Sequence, residues 1–536
     1  MADAPKMITL TVDGKPVTVS EGTTVLQACE KANSPVPFYC YHPGLSIAGN
    51  CRICLVEIVG TPKLQIGCYT RAAEGMVVNT TSDKTLNGRR DVLEFLLINH
   101  PLDCPVCDQA GECWLQDYYM EHGLYDQKFN ETKNKKPKAV PIGPTVMLDA
   151  ERCILCSRCV RFTDEITKTG EFGIFNRGDR SQIGLHPGKT LENNYSGNVV
   201  DICPVGALTD RDFRFKCRVW YLAATESVCN GCSRGCNIEI HVNRERAWRP
   251  HIANGGRVMR LKPRYNPDVN QWWMCDVGRY GYKSLDEGRL SHVGLGSNGS
   301  QQAGTWDAAL ARVADALRAL QRDKAEAQAG VILSSHMSNE ALFAAKRFFG
   351  ALKITNIVFQ RPQPGQADTL LLQADRSPNA RGALALGLPE GAKALLDQAA
   401  KKPLKLLWVF HQDLAAVFGP AAVQQAAASG LLVFQGTNTC PTSASAHVVL
   451  PSAVHAEQDG TFTNFQGRVQ RFRPALDPWG EAKTDWHIFA ELSALLGLGL
   501  KFPDATTVFA DLAKAEQPFA GLTYDALGTQ GASLAV

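Results

Sequence analysis

Apolar and polar positions alternate in "MITLTV" (7–12) and again in "KPVTVS" (15–20), with "DG" between them. A two-residue Asp-Gly connection between alternating runs predicts a β-hairpin. In "TTVLQACEKA" (23–32) the period changes, and Val25, Leu26 and Cys29 fall on one helical face. A hairpin and a helix ahead of a cysteine-bearing loop predict a ferredoxin-like β-grasp. "KTLNGRRDVLEFLLINHP" (84–101) sets Leu86, Leu93, Leu96 and Leu97 at helical spacing, and Pro101 stops that helix. Beyond about residue 290 the chain turns Ala/Leu-rich. There "TWDAALARVADALRALQ" (305–321) carries Leu310, Val313, Leu317 and Leu320 on one face, with Thr305 as its cap. Short apolar runs alternate with such helices: "VILSS" (331–335), "LKLLWVF" (404–410) and "LLVFQG" (431–436). That alternation predicts a parallel α/β domain.

Composition changes this picture little. At 536 residues the chain is long enough for about three or four domains. Apolar residues at 45% and charged residues at 20% are ordinary globular values. A net charge of +3 gives no general case for nucleic acid. The basic run "KNKKPK" (133–138) reads as a solvated linker rather than a binding patch. No apolar stretch approaches the ~20 residues of a membrane span. The opening residues have neither a secretory nor a transit pattern, so a cytosolic or peripheral protein is expected.

Cysteine is the informative count: 18 are present, and all but Cys275 and Cys440 lie between Cys29 and Cys236. Clustering of this kind points to metal or redox sites rather than disulfides. Cys40, Cys51, Cys54 and Cys68 keep the central C-x2-C of plant-type [2Fe–2S] ferredoxins, with a longer first loop. Gly44 and Gly49 predict a bend that brings backbone N–H groups to the sulfurs. Zinc is the alternative occupant.

Cys104, Cys107 and Cys113 in "NHPLDCPVCDQAGEC" (99–113) lack a fourth cysteine. His100 precedes Pro101, where the chain leaves the helix. It reads either as a helix-terminal histidine facing the dipole or as the fourth ligand. The count favours ligation, because the other groups each complete four donors without it. Imidazole on iron has precedent in Rieske centres.

"CILCSRC" supplies Cys153, Cys156 and Cys159, and "DICPVGAL" supplies Cys203 before Pro204. In two-cluster ferredoxins the last cysteine of each half ligates the other cluster. Here Thr163, Asn193, Ser196 and Val199 stand where one cluster's cysteines belong, which leaves one complete [4Fe–4S] set. Cys229, Cys232 and Cys236, with Cys275 far downstream, form the fourth group. "CNGC" alone also fits a zinc knuckle or a thioredoxin-like motif, but no second C-x2-C supports zinc. Cys29, Cys217 and Cys440 remain, of which Cys29 belongs to an apolar stripe.

These residues carry a resemblance. "GNCRICLVE", "NHPLDCPVCDQAGECWLQD", "CILCSRCVRF", "SGNVVDICPVGAL" and "RFKCRVWYL" occur in the order of the large iron–sulfur subunit family of respiratory complex I. The match covers roughly residues 8–285. In that family the segment holding His100 is a His(Cys)3 cluster domain. The fourth group resembles the cluster domain of molybdenum and tungsten bis-pterin enzymes, whose retention implies a bacterial type. "HVVLPSAVHAEQDGTFTNFQGRVQRF" (447–472) is similar to a segment of molybdopterin oxidoreductases. Those enzymes hold their metal through Cys, selenocysteine or Ser, whereas Cys440 in "TNTCPTS" has no adjoining histidine. The C-terminal half therefore reads as a degenerate scaffold without molybdopterin. "GLGSNG" (294–299) matches G-x-G-x-x-G but neither follows a strand nor opens a helix, so it reads as a flexible linker.

The expected architecture is multidomain α+β and α/β. Its parts are a [2Fe–2S] β-grasp ferredoxin domain (1–82), a His(Cys)3 [4Fe–4S] domain and linker (83–145), a bacterial-ferredoxin-like [4Fe–4S] domain (146–222), a bis-pterin-type [4Fe–4S] domain (223–285) and a degenerate molybdopterin-oxidoreductase-like α/β domain (286–536). The cofactors are one [2Fe–2S] and three [4Fe–4S] clusters, and no residue is catalytic. The resemblance implies electron transfer from a flavin/NADH-binding subunit and a small [2Fe–2S] subunit to downstream iron–sulfur subunits and quinone. It also implies a peripheral position on the cytoplasmic side of the bacterial inner membrane, with no nucleic acid and no direct span. The rivals are the catalytic subunit of an NADH-linked formate dehydrogenase and a zinc-structured assembly scaffold.

Overall fold

A computed structural model describes residues 6–123, 128–243, 256–297 and 300–535. The chain divides into two compact units, Met1–Tyr221 and Leu222–Val536.

In the first unit the expected hairpin forms from strands Met7–Val12 and Lys15–Ser20, with Val12 opposite Lys15. Asp13 (φ 47°) and Gly14 (φ 78°) make the left-handed two-residue turn that matches strand twist. Ile8, Leu10, Val12, Val17 and Val19 enter the core, as the alternation requires. The sheet has five strands, in the order Lys15–Ser20, Met7–Val12, Val77–Asn79, Leu55–Ile58 and Gln65–Ile66. Helix Val25–Lys31 packs beneath it, opened by a Thr24–Gln27 capping box. Cys29 is a fully buried member of this core.

Helix Asp83–Leu97 starts at the Ser82 cap and ends before Pro101. Its buried Arg89 donates to Leu55 O at 2.9 and 3.2 Å, tying helix to sheet. The run at 133–138 differs from the solvated linker expected of it. Lys133 Nζ donates to Leu97 O (3.0 Å) and Ile98 O (2.8 Å), capping that helix. Lys136 Nζ reaches Ser181 O, and Lys138 Nζ reaches Asp103 and Glu151. Helix-end carbonyls lack intrahelical donors and draw cations, so these lysines strap the segment down.

The second unit opens with an antiparallel sheet of Leu222–Val228, Asn237–Asn243 and Val258–Pro263. Its larger sheet has five parallel strands, in the order Val448–Pro451, Leu431–Gly436, Leu406–Phe410, Ala329–Ser334 and Ile357–Gln360. Four of these are buried along their whole length, as a sheet covered on both faces must be. Helix Trp306–Arg322 begins at Thr305 and buries Leu310, Val313, Leu317 and Leu320, as predicted. Phe348, Phe349, Trp408, Phe410 and Phe489 stack in its core, with centroids 5.2 to 6.2 Å apart.

"GLGSNG" is not a linker. Gly294–Ser297 and Ser300–Ala303 are an antiparallel hairpin at the edge of this sheet, and Gly294 and Leu295 pair with Val449 and Val448; Asn298 and Gly299 lie outside the described residues. The dinucleotide reading fails for a firmer reason than flexibility, because the first four residues of the motif, Gly294–Ser297, are themselves strand. Among the described residues no helix is long and apolar enough to cross a membrane.

Candidate metal centres

The loop after helix Val25–Lys31 brings Cys40, Cys51, Cys54 and Cys68 together. The Cys40 sulfur contacts those of Cys51 and Cys68, and Cys54 contacts Cys68. Cys40 N–H donates to Cys51 Sγ at 3.4 Å, and the N–H of Asn50 points to the Cys40 sulfur. Gly49 (φ 62°) and Arg52 (φ 62°) make the turn that aims these donors inward. Gly44 serves differently from expectation: its N–H goes to His42 Nδ1 at 3.1 Å. Hydrogen bonds from the Cys51 and Cys68 thiols push the Cys40 thiol down, and the same contacts push its partners up.

His100, Cys104, Cys107 and Cys113 line one cavity of about 770 Å³. His100 follows the helix end, with its N–H on Leu97 O at 3.1 Å. Burial, then Arg152 and Lys133, push its imidazole down to about 4. A ring neutral at pH 7 cannot serve as a helix-dipole cation. Its Nδ1 is buried with no hydrogen-bond partner among the described residues. A buried nitrogen lone pair costs free energy unless something binds it, and neutral imidazole is the form that takes a metal. Arg218 clamps the loop through Cys107 O (2.6 Å) and Pro105 O (2.5 Å).

Cys153, Cys156, Cys159 and Cys203 line a second, smaller space. Leu155 (φ 55°) and Ser157 (φ 60°) hold left-handed backbone unusual for non-glycine residues. That conformation turns Leu155 N–H onto Cys153 Sγ at 3.3 Å and Arg158 N–H toward Cys156. The N–H groups of Val205, Ala207 and Leu208 point to Cys203. The positions where a second cluster's cysteines would stand have other duties. Thr163 Oγ1 donates to Val160 O (3.0 Å), Asn193 Nδ2 to Glu171 Oε1 (2.8 Å), Ser196 bonds Thr145 (2.7 Å), and Val199 is fully buried.

Cys229, Cys232, Cys236 and Cys275 line the last space. The long interval before Cys275 contains strands Asn237–Asn243 and Val258–Pro263, and the chain then returns at helix Asp276–Tyr280. Gly231 N–H meets Cys229 Sγ at 3.5 Å and Gly278 N–H meets Cys275 Sγ at 3.4 Å. A Cβ on Gly278 would lie 2.9 Å from Cys229 Sγ, so that approach requires glycine. Leu371 and Leu372 close the space, and their loop is held by Arg234 on Leu370 O and Leu371 O and by Ser233 N–H on Asp375 O. Nothing in "QADTLLLQAD" distinguishes that cover in the sequence.

Burial pushes the thiols of Cys113 and Cys275 up to about 11 and those of Cys153 and Cys203 up to about 12; Cys159, Cys229 and Cys236 also rise. Thiolates in such places need a cation bonded to them. Among the described residues no three Cys, His, Asp or Glu side chains are placed to hold a single ion.

Three arginines absent from the sequence reading join the sets of the first unit. Arg161 Nη2 donates to Cys40 O (2.5 Å) and Cys156 O (3.4 Å), so those two ligand loops are neighbours. Arg152, beside Cys153, lines the His100 cavity and donates to Asp103 Oδ2 at 2.9 and 3.0 Å. Arg158 is buried between them. A Cβ on Gly206, three residues after Cys203, would collide with Cys107 Sγ. Of the cysteines left over, Cys217 is buried. Cys440 is occupied in structure: its Sγ accepts from Ser443 N–H at 3.4 Å, capping helix Pro441–Ala444. At the strand ends nearby, Asp485 gathers His411 (2.9 Å), Gln435 (2.8 Å) and Ser452 (2.8 Å) into one hydrogen-bond network.

Family models match five stretches. They are a 2Fe-2S iron-sulfur cluster binding domain (5–83), an NADH-ubiquinone oxidoreductase-G iron-sulfur binding region (89–128), the ferredoxin-like domain of NADH-quinone oxidoreductase subunit 3 (143–209), a molybdopterin oxidoreductase Fe4S4 domain (222–287) and a molybdopterin oxidoreductase domain (360–495). NADH-quinone oxidoreductase-G of Rickettsia conorii is 31% identical over 96% of this chain and 92% of its own length. Its counterpart in Rickettsia bellii is 40% identical over 65% of this chain and 49% of its own length. The mitochondrial NADH-ubiquinone oxidoreductase 78 kDa subunit of Neurospora crassa is 31% identical over 94% of this chain and 82% of its own length. Among solved structures, a chain of an NAD+-reducing [NiFe]-hydrogenase is 32% identical, covering 38% of this chain and 87% of that one, at a TM-score of 0.35.

Proposed function

Because this chain belongs to the NADH-quinone oxidoreductase-G family of iron–sulfur subunits, we propose that its four donor sets make it the electron relay of such a complex. Cys40, Cys51, Cys54 and Cys68 hold a [2Fe–2S] cluster. His100, Cys104, Cys107 and Cys113 hold a [4Fe–4S] cluster, as do Cys153, Cys156, Cys159 and Cys203, and Cys229, Cys232, Cys236 and Cys275. The five domains follow the boundaries 1–82, 83–145, 146–222, 223–285 and 286–536. The last is a degenerate scaffold without pterin, in which Cys440 is spent on a helix cap.

The observation that carries the relay is adjacency within the first unit. Arg161 joins the Cys40 and Cys156 loops, and Gly206 presses the Cys203 loop onto Cys107. Electrons delivered by a flavin- and NADH-binding subunit and a small [2Fe–2S] subunit enter at the Cys40 set. They cross the Cys153 set and leave by the His100 set to downstream iron–sulfur subunits and quinone. The protein's part is to fix the ligands, bury them and aim N–H groups at sulfur, the levers that set cluster potentials. The chain sits peripherally on the cytoplasmic face of a bacterial inner membrane.

The test is His100→Cys in the purified complex. Iron per chain should stay at the wild-type value, while the midpoint potential of that cluster falls because thiolate adds negative charge. An unchanged midpoint, followed by EPR, would reject His100 as a ligand.

A further inference from the structure

Arg158 stands between the second and third cysteines of "CILCSRC", and only 2% of it is exposed. Its Nη1 donates to Ile202 O at 2.9 Å, the carbonyl beside Cys203, and its Nη2 to Tyr41 O at 2.5 Å, the carbonyl beside Cys40. The guanidinium lies 4.6 Å from the ring of Trp114, the neighbour of Cys113, and 6.0 Å from Phe38. One cation therefore reaches a residue adjoining a donor of each set in the first unit.

A buried guanidinium is costly without counter-charge. The hydrogen-bond acceptors of Arg158 are neutral carbonyls, and its Nε is buried without a partner among the described residues. Burial disfavours its charge, as does the neighbouring cation Arg161, and the groups that favour it are the sulfurs of Cys156, Cys203 and Cys40. Neutral thiols would leave this cation uncompensated, whereas thiolates bonded to a cluster compensate it.

We propose that Arg158 is a positioning residue that serves the Cys153 and Cys40 sets as a shared counter-cation and raises the reduction potential of both. The proposal rests on the iron–sulfur reading above. A nearby positive charge stabilises the reduced, more negative state of a cluster and so raises its potential. Arg158 thereby keeps two successive carriers shifted in the same direction, which a change at either ligand set alone cannot do.

The experiment compares Arg158→Gln, Arg158→Met and Arg158→Lys in the intact complex, reading iron and acid-labile sulfide per chain and EPR-monitored midpoint potentials. In the Gln and Met variants both midpoints should fall, the Cys153 set by more, with Lys returning them toward wild type. Iron lost from Gln and Met but kept by Lys would equally support the charge requirement. Unchanged midpoints in Gln with full iron would overturn the proposal. So would an equal fall in Lys, or iron lost from all three variants, which would make Arg158 a packing element only. Absence of both cluster signals from the wild-type complex would instead overturn the ligand reading, before Arg158 is touched.

Discussion

The two units of this chain solve the problem of a core differently. In the first, a buried cluster contains Cys40, Cys113 and Cys156 beside Tyr39, Ile53, Leu93 and Leu115, with Cys51, Cys153 and Cys203 packed at its margin. The proposed ligands are core residues there. In the second unit the two large cores consist mostly of Leu, Val, Ala and Phe, one of them around Trp408, and none of the four proposed ligands belongs to them. A core of hydrocarbon is complete once folded. A core of thiols is complete only when the thiols are bonded, so metal binding contributes directly to folding free energy. The first unit is expected to depend on its clusters for integrity, and the second mainly on packing.

Iron removal from the full chain is the largest expected effect that separates them. Chelation under reducing conditions, followed by hydrogen exchange, should strip protection from residues 40–68, 100–113 and 153–159. Strands Ala329–Ser334, Leu406–Phe410 and Leu431–Gly436 should keep theirs, since stability is distributed locally. Uniform loss across both units would break the comparison. Next in size is the removal of one ligand. Cys203→Ala should lower iron per chain and abolish the EPR signal of the Cys153 set, while Cys217→Ala leaves both at wild-type values; the same loss in the Cys217 variant would reassign the fourth ligand. The smallest effect sharpens the other half. Trp408→Ala should destabilise the second unit by about 3–5 kcal/mol, as large-to-small core changes do, with no change in iron content. Thermal unfolding followed by iron release measures both quantities at once.

Much of this was legible in the chain because the signals are local. The 7–20 hairpin is written in alternation and a two-residue turn, the 306–322 helix in its period and cap, and three of the four donor sets in cysteine spacing. Four features were not legible, each because the partner lies far along the sequence. "GLGSNG" has too few apolar residues to read as strand, and only pairing with Val448 and Val449 makes it one. The lysines of 133–138 look solvated until the carbonyls at 97 and 98 are beside them. Arg158 and Arg161 pass for spacers in a cysteine motif, because nothing local says that Tyr41 and Cys40 are near. Leu371 and Leu372 are ordinary until a donor set lies beneath them.

The tetrapeptide Cys203–Gly206 has a consequence for how such a chain can vary. Its first residue faces one donor set, and its last is held against Cys107 of another. Pro204 has a fixed φ and Val205 is buried, so neither absorbs a displacement. A single inserted or deleted residue here would move a proposed ligand of one centre and the wall of the next together. In the proposed relay, mutation in this stretch is not private to one carrier: a change that retunes one is expected to need a matching change around the other.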